Sequence, residues 1–386
     1  MAAGLTWNTV HVLPEGELER KLALRRPLRV KLGIDPTAPD IHLGHTVPLG
    51  KLADFQQAGH TAVLIIGDYT ARIGDPSGRS RERPVLSVEE LDANAKTFAE
   101  QAFRILDRER TEVRHNSEWL AKLDFAEILR ITRTTTVARL LERDDFAKRM
   151  AAAEPISISE LLYPLMQGYD SVAIRADVEL GGTDQLYNLL AGRGVMEAYG
   201  LEPQVAMTLP ILVGTDGKER MSKSKGNYIG VAERPEEQFG KVMSIPDPAL
   251  GDYWRLCLRV EPPGGEPMES KLALARGIVE RYHGREAAAE AEAHFTRVVR
   301  QHEVPEEVPE VVVEPIGEAA PLPGLLKEWF GLSSTSEARR LIEQGGVKID
   351  GDVVTELEVP WGRLDGTLVQ AGKRRFTRVF LGDASP

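Results

Sequence analysis

Cysteine is nearly absent from this chain: Cys257 is the only one in 386 residues. One thiol cannot close an internal disulfide and cannot build a cysteine-based metal site, so Cys257 reads as a packed core residue. Long apolar runs are missing as well, none approaching the roughly 18 residues of a membrane span. The opening Met-Ala-Ala-Gly-Leu-Thr-Trp-Asn has no basic segment followed by an apolar stretch, so a cytosolic protein is expected. Excess positive charge is lacking too, with 48 Lys and Arg against 59 Asp and Glu, a net −11. That excludes a protein that coats nucleic acid by bulk charge and requires any RNA contact to be local. No internal repeat is present. What remains is 42 % hydrophobic, ordinary for a globular chain, with length enough for two or three domains.

Apolar strands alternate with amphipathic helices through the first half. Residues 28–34 and 61–67 read as strands around a helix at about 41–58, a βαβ unit that implies a parallel sheet. Residues 113–116, 173–180 and 208–213 read as further strands. The fold expected is therefore α/β: a Rossmann-like parallel-sheet nucleotide-binding domain over residues 1–231, with a helical insertion at about 119–162 that includes a helix over 136–149. Helices at 235–244, 250–259 and 271–300 follow, so residues 232–318 read as an α-helical domain ending in a Pro- and Glu-rich linker, with 311–313 docked as a strand. Residues 319–386 read as a small α+β domain. In it a helix is capped by Ser336 or a neighbouring hydroxyl, ended by Gly345-Gly346 and followed by a hairpin. Nine Lys/Arg balance nine Asp/Glu in this last segment. Its cations cluster at Arg339, Arg340, Lys373, Arg374, Arg375 and Arg378, a pattern that by itself more often makes a solvated face than a binding one.

Two separated segments carry the chemistry. His42-Leu43-Gly44-His45 follows the turn Asp35-Pro36-Thr37-Ala38-Pro39-Asp40, which puts its histidines at the start of a helix, where backbone N–H groups favour an anion. His42 and His45 share a face there, and Gly44 removes the side chain that would keep a flat base from the backbone. The second segment, Arg220-Met221-Ser222-Lys223-Ser224, lies in a glycine-rich cationic loop with Lys218 and Lys225 that can close over a triphosphate. Together they suggest ATP activation. The Asp35 turn, Gly181-Gly182-Thr183-Asp184 and the Arg220 loop would converge on one sheet edge, where open α/β folds bind ligands.

The pair resembles the HIGH and KMSKS signatures of class I aminoacyl-tRNA synthetases. The stretch from Lys31 to His45, then Ile73-Gly-Asp-Pro-Ser-Gly, Gln167-Gly-Tyr-Asp170 and Gly181-Gly-Thr-Asp-Gln185 resemble the bacterial tyrosyl branch, from about Pro27 to the C-terminus. The resemblance implies activation of L-tyrosine with ATP, accompanied by magnesium without a protein metal cluster, then transfer to tRNA(Tyr). It also implies a homodimer through the insertion, an anticodon-binding helical domain and a C-terminal RNA-binding domain similar to a ribosomal small-subunit protein. Thr37 and His42 would meet the outer phosphates and His45 the nucleoside. Arg79, Arg83, Arg220 and Lys223 would bring mobile positive charge to the pyrophosphate. Asp35, Gly44, Gly182, Asp184, Gln185, Met221 and Ser222 would complete the ATP site, with Asp184 on the ribose hydroxyls. Asp75, Tyr163 and Gln167 would hold the substrate ammonium, and Asp170, deeper on the same helix, would accept the phenol hydrogen. Gly33 and Lys31 fall in the same subsite.

Three departures stand out. Many relatives carry a tyrosine where simple alignment places Lys31. The first lysine of KMSKS is Arg220, which keeps the charge but presents a planar fork. The region 231–315 is short for an anticodon domain. Ile156, Ile158, Leu161 and Leu162 suit an interface or a core equally. Rival readings are a small-molecule nucleotidyltransferase, a catalytically inactive RNA-binding relative and, within the class, a tryptophanyl enzyme. The Tyr163, Gln167 and Asp170 series with the RNA-binding tail favours tyrosine.

Overall fold

The computed structural model describes residues 2–37, 39–77, 87–297, 308–317, 319–372 and 375–382. Arg79, Arg83, Lys373 and Arg374 lie outside the described residues. The chain divides into two compact units, Met1–Gly284 and Arg285–Pro386.

The first unit is built on a six-stranded sheet in the order β1-β6-β5-β2-β3-β4. Its strands are β1 (His11–Leu13), β2 (Arg29–Ile34), β3 (Thr61–Ile66), β4 (Thr111–His115), β5 (Val178–Gly182) and β6 (Val205–Leu209). Strands β2 to β6 pair in parallel, whereas β1 runs antiparallel along β6, so the sheet is mixed and not wholly parallel. A three-residue edge strand carries too little pattern to be read in sequence. β3 is apolar on both faces because helices cover both sides of a parallel sheet, and Ala62 to Ile66 are fully buried.

Two expected strands shift. Residues 173 and 174 end the helix Ile158–Ile174, which stops where Arg175 turns left-handed at φ 52°, and β5 begins only at Val178. β6 likewise ends before Pro210, since proline cannot donate to a ladder. In the insertion the helix expected over 136–149 is two, Val137–Leu141 and Asp144–Ala151. Between them Arg143 is extended, and its buried guanidinium bonds Asn188 and Ser77 of the main fold. The long helix expected over 271–300 breaks at Gly284, φ 91°, into Pro267–His283 and Arg285–Phe295. Cys257 is buried, and burial pushes its thiol up to about 12.

The second unit has a five-stranded sheet whose edge strand, Glu310–Val313, pairs in parallel with Arg375–Leu381. The docked strand expected at 311–313 is thus present. Ser334, a neighbour of Ser336, caps the helix Thr335–Glu343 by accepting from the Glu337 N–H. Gly345, φ 67°, ends it, and the hairpin Val347–Ile349 with Asp352–Val354 follows. Leu322, Leu326, Ala338, Ile342, Val347, Val369 and Val379 form the core. Arg339, Arg340 and Arg375 are exposed, and the charges of Arg375 and Arg340 reach Glu337.

Candidate active site

β2 leads to β3 on one side while β5 lies on its other side, so the sheet reverses its winding between β2 and β5. At the carboxyl end of these strands lies a cavity of about 620 Å³. Its wall includes Gly33, Asp35, Thr37, His42, Gly44, His45, Asp75, Tyr163, Gln167, Asp170, Gly182, Asp184, Gln185, Arg220, Met221, Ser222 and Lys223, nearly every described residue expected there.

The histidine motif is fastened by backbone to the segment that follows the Arg220 loop. His42 bridges to Gly230, the Leu43 N–H donates to the Ile229 carbonyl at 2.9 Å, and the Val231 N–H donates to that of Ile41 at 2.9 Å. His42 is the N-cap of the helix Leu43–Gln57. Its ring stacks on that of His45 with centroids 3.8 Å apart and planes 20° apart. A Cβ on Gly44 would sit 3.0 Å from Cε1 and Nδ1 of the His42 ring, so a side chain there would press the stack by a few tenths of an ångström. The His42 N–H donates to His45 Nδ1 at 3.3 Å, which leaves the His45 proton on Nε2. Burial holds His45 at about 4 and holds His42 well below its ordinary range, with His45 and Arg220 adding to the effect on His42. Both imidazoles are therefore neutral near pH 7. Nδ1 of His42 is buried and, among the described residues, without a hydrogen-bond partner.

The cations of the loop meet carboxylates. Arg220 lies 2.9 Å from Asp184, and Lys223 lies 2.6 Å from Asp40. Desolvation and nearby Asp75 raise Asp184, while Arg220 opposes them. Asp184 can fold back because residue 182 is glycine; a Cβ there would sit 2.6 Å from its Oδ1. Gln185 Nε2 donates to Asp75 Oδ2 at 2.7 Å, and the Ser77 N–H donates to Oδ1 at 2.9 Å. These carboxylates and cations share one rim.

Deeper in, Tyr163 donates to Asp35 Oδ2 at 2.9 Å, and Thr70 donates to Oδ1 at 2.8 Å. Asp170 is on the floor, 3 % exposed. It accepts from Trp119 Nε1 at 2.8 Å and from Asn116 Nδ2 at 3.4 Å. Desolvation pushes it up to about 7, with Lys31, Trp119 and Asn116 acting against the rise.

Lys31 does not line the cavity. It is wholly buried behind the wall, paired with Glu179, its ammonium turned to the Gln167 carbonyl and the Ser171 hydroxyl of the covering helix. Sequence reasoning missed Asn116, Thr70 and Trp119. Asn116 directly follows β4, so the rule that ligands gather at strand carboxyl ends could have found it. Of the residues equally suited to interface or core, Ile158 is 78 % exposed whereas Leu162 is partly buried against a core cluster that includes Leu120 and Leu165.

Residues 23–300 match the family described as tRNA synthetases class I (W and Y), and residues 321–360 match the S4 domain. The chain is 52 % identical to the tyrosine–tRNA ligase of Moorella thermoacetica over 96 % of its own length and 94 % of that protein. It is 50 % identical to that of Thermotoga maritima, covering 97 % and 96 %. Among solved structures, tyrosyl-tRNA synthetase complexed with L-tyrosine from Archaeoglobus fulgidus is similar at a TM-score of 0.60 and 26 % identity, over 75 % of this chain and 97 % of that one.

Proposed function

This chain belongs to the class I tRNA synthetases of tryptophan and tyrosine, its reaction is tyrosine–tRNA ligation, and we propose the following assignment of that reaction to its residues. Tyrosine and ATP give tyrosyl-adenylate and pyrophosphate, and the tyrosyl group then passes to the 3′-terminal adenosine of tRNA(Tyr). The substrate carboxylate is already a nucleophile, so the first step needs alignment and charge stabilisation but no general base. Asp170 accepts the phenol hydrogen on the floor. Asp75, Tyr163 and Gln167 surround the ammonium, which leaves the carboxylate directed toward the rim. There Asp184 takes the ribose hydroxyls, and Gly44 admits the base beside His45. Thr37, His42, Arg220 and Lys223 act on the outer phosphates, His42 as a neutral hydrogen-bond donor.

The observation that carries this assignment is the buried Asp170 carboxylate at the foot of the cavity whose rim holds both motifs. A ligand without a hydroxyl would leave that group desolvated with only Trp119 and Asn116 to satisfy it, one hydrogen bond short. Pyrophosphate exchange measured with each of the twenty amino acids tests it: exchange should depend on tyrosine, and dependence on phenylalanine or tryptophan would remove Asp170 from the role.

Among the described residues no group of three His, Cys, Asp or Glu is placed to hold a metal ion. In this reading magnesium accompanies the ATP phosphates. Residues 232–318 serve the anticodon. The S4 domain binds RNA through Arg339, Arg340, Arg375 and Arg378, with Lys373 and Arg374 adjacent in sequence. The insertion carries exposed Phe125, Leu129, Val137, Met150 and Ile158, an apolar set suited to a second copy in a homodimer. No described helix is long and apolar enough to cross a membrane, and a tRNA substrate accords with the cytoplasm.

A further inference from the structure

Lys31 occupies the middle of β2, and its register partner across the parallel pair is Glu179 of β5. Both side chains leave the sheet on one face, and Lys31 Nζ lies 2.8 Å from Glu179 Oε1. The same ammonium donates to the Gln167 carbonyl at 2.8 Å and to the Ser171 hydroxyl at 2.7 Å. An ammonium has three hydrogens, so none is left for a ligand. Glu179 is also fully engaged: it accepts from Gln167 Nε2 at 3.0 Å, from Ser171 and from Gln204.

The pair is aimed at the helix Ile158–Ile174. Gln167 is held twice, its carbonyl by Lys31 and its side-chain amide by Glu179. Asp170 lies between the two residues that Lys31 grips. The charged groups acting on its carboxylate are Lys31 from β2 and Glu179 from β5, while Trp119 and Asn116, beyond β4, bring neutral donors. The cation acts more strongly on Asp170 than Glu179 does. A net positive influence thus reaches Asp170 from a side chain that no substrate can touch.

We propose that Lys31 is a positioning residue for hydroxyl selection, which grips the helix on either side of Asp170 through the Gln167 carbonyl and the Ser171 hydroxyl and keeps the Asp170 carboxylate ionised without contacting the amino acid. This rests on the assignment of the phenol hydrogen to Asp170. An ionised carboxylate accepts that hydrogen in a charge-assisted bond, roughly twice as strong as a neutral one. A protonated carboxyl gives only the neutral bond, and discrimination against phenylalanine weakens.

The test is the ratio of kcat/KM for tyrosine to kcat/KM for phenylalanine from pH 5.5 to 9. Groups that titrate alike for both substrates cancel in this ratio, and the free phenol stays protonated below about 10. In the native chain the ratio should rise with pH through a midpoint near 7. Lys31→Met combined with Glu179→Gln removes the pair as a unit and strands no charge. Its midpoint should move up by about one unit, which lowers the ratio at pH 7 about fivefold and restores it near pH 9. Glu179→Gln alone leaves the cation unopposed, so the midpoint should move down, and this near-isosteric change decides the question if the double variant does not fold. A ratio reduced equally at every pH, or a midpoint unmoved in Glu179→Gln, makes Lys31 a purely structural residue and overturns the proposal. Asp170→Asn separates the two levels. If it keeps the native ratio, the assignment of the hydroxyl to Asp170 fails and the role of Lys31 fails with it. If it loses the ratio while the pair variants keep the native midpoint, only the role of Lys31 fails.

Discussion

Arg220 Nη1 donates to Asp184 Oδ2 at 2.9 Å, so the first cation of the loop is held by the carboxylate assigned to the ribose. On the proposed assignment a ribose diol would engage the same oxygens and compete with the guanidinium, and Arg220, once displaced, would carry its charge to the neighbouring phosphates. Removing it should therefore act on the chemical step more than on ATP capture. Arg220→Ala should lower kcat for pyrophosphate exchange by roughly 10²-fold while KM for ATP changes less than about threefold. A raised KM with unchanged kcat would make Arg220 an ordinary binding residue.

The stacked histidines do not work as cations. Burial keeps both neutral near pH 7, so on the proposed assignment what His42 would supply is a directed hydrogen bond. Losing one donor that acts in the transition state costs about 3–4 kcal/mol, a factor of roughly 10² to 10³ in rate. His42→Ala should lose that much in rapid-mixing measurements of adenylate formation. His42→Asn, which keeps a neutral donor, should recover part of it. A loss below about tenfold in the alanine variant would take His42 out of the reaction.

Gly168 sits between the two proposed tyrosine ligands Gln167 and Asp170 and faces the helix Leu186–Ala198. An added Cβ would come 2.9 Å from the Gly192 Cα and 3.0 Å from Val195 Cγ2. Backbone on one side leaves little room to yield. Gly168→Ala should destabilise the first unit by about 1–3 kcal/mol, read as a lower thermal midpoint. It should also raise KM for tyrosine more than KM for ATP, because the helix it displaces carries Gln167 and Asp170 but neither histidine.

Much of this site was legible because its residues are local in sequence. The Asp35 turn sits directly after β2 with the histidine motif behind it, Gly181-Gly182 close β5, and strand ends converge by topology alone. Tyr163, Gln167 and Asp170 were legible for a similar reason, being spaced to share a helix face. What escaped depends on register. Nothing along the chain links Lys31 to Glu179, which face each other only because β2 and β5 pair with that offset. The same holds for Trp119 on Asp170. The break of the insertion helix at Arg143 escaped because its cause is a tertiary bond to Asn188, not a local breaker.

The proposed hydroxyl acceptor should also leave a signature in stability. Desolvation raises Asp170 from an ordinary carboxylate value of 3.8 to about 7 in the folded chain. Between those values the folded chain still holds a proton that the unfolded chain has released. The associated stability is fully present below 3.8 and is lost as pH rises through about 7. Above that, the fold bears the cost of an ionised carboxylate that only partner groups offset. Asp170→Asn removes the titration, so its thermal midpoint relative to the native chain should climb from pH 4 to pH 8. At the upper end the variant should be the more stable protein, by on the order of 1–3 kcal/mol. The same variant should lose selection of tyrosine over phenylalanine. A stability difference that stays flat across this window would mean that Asp170 is ionised throughout, and it would take with it the pH dependence on which the role of Lys31 is to be judged.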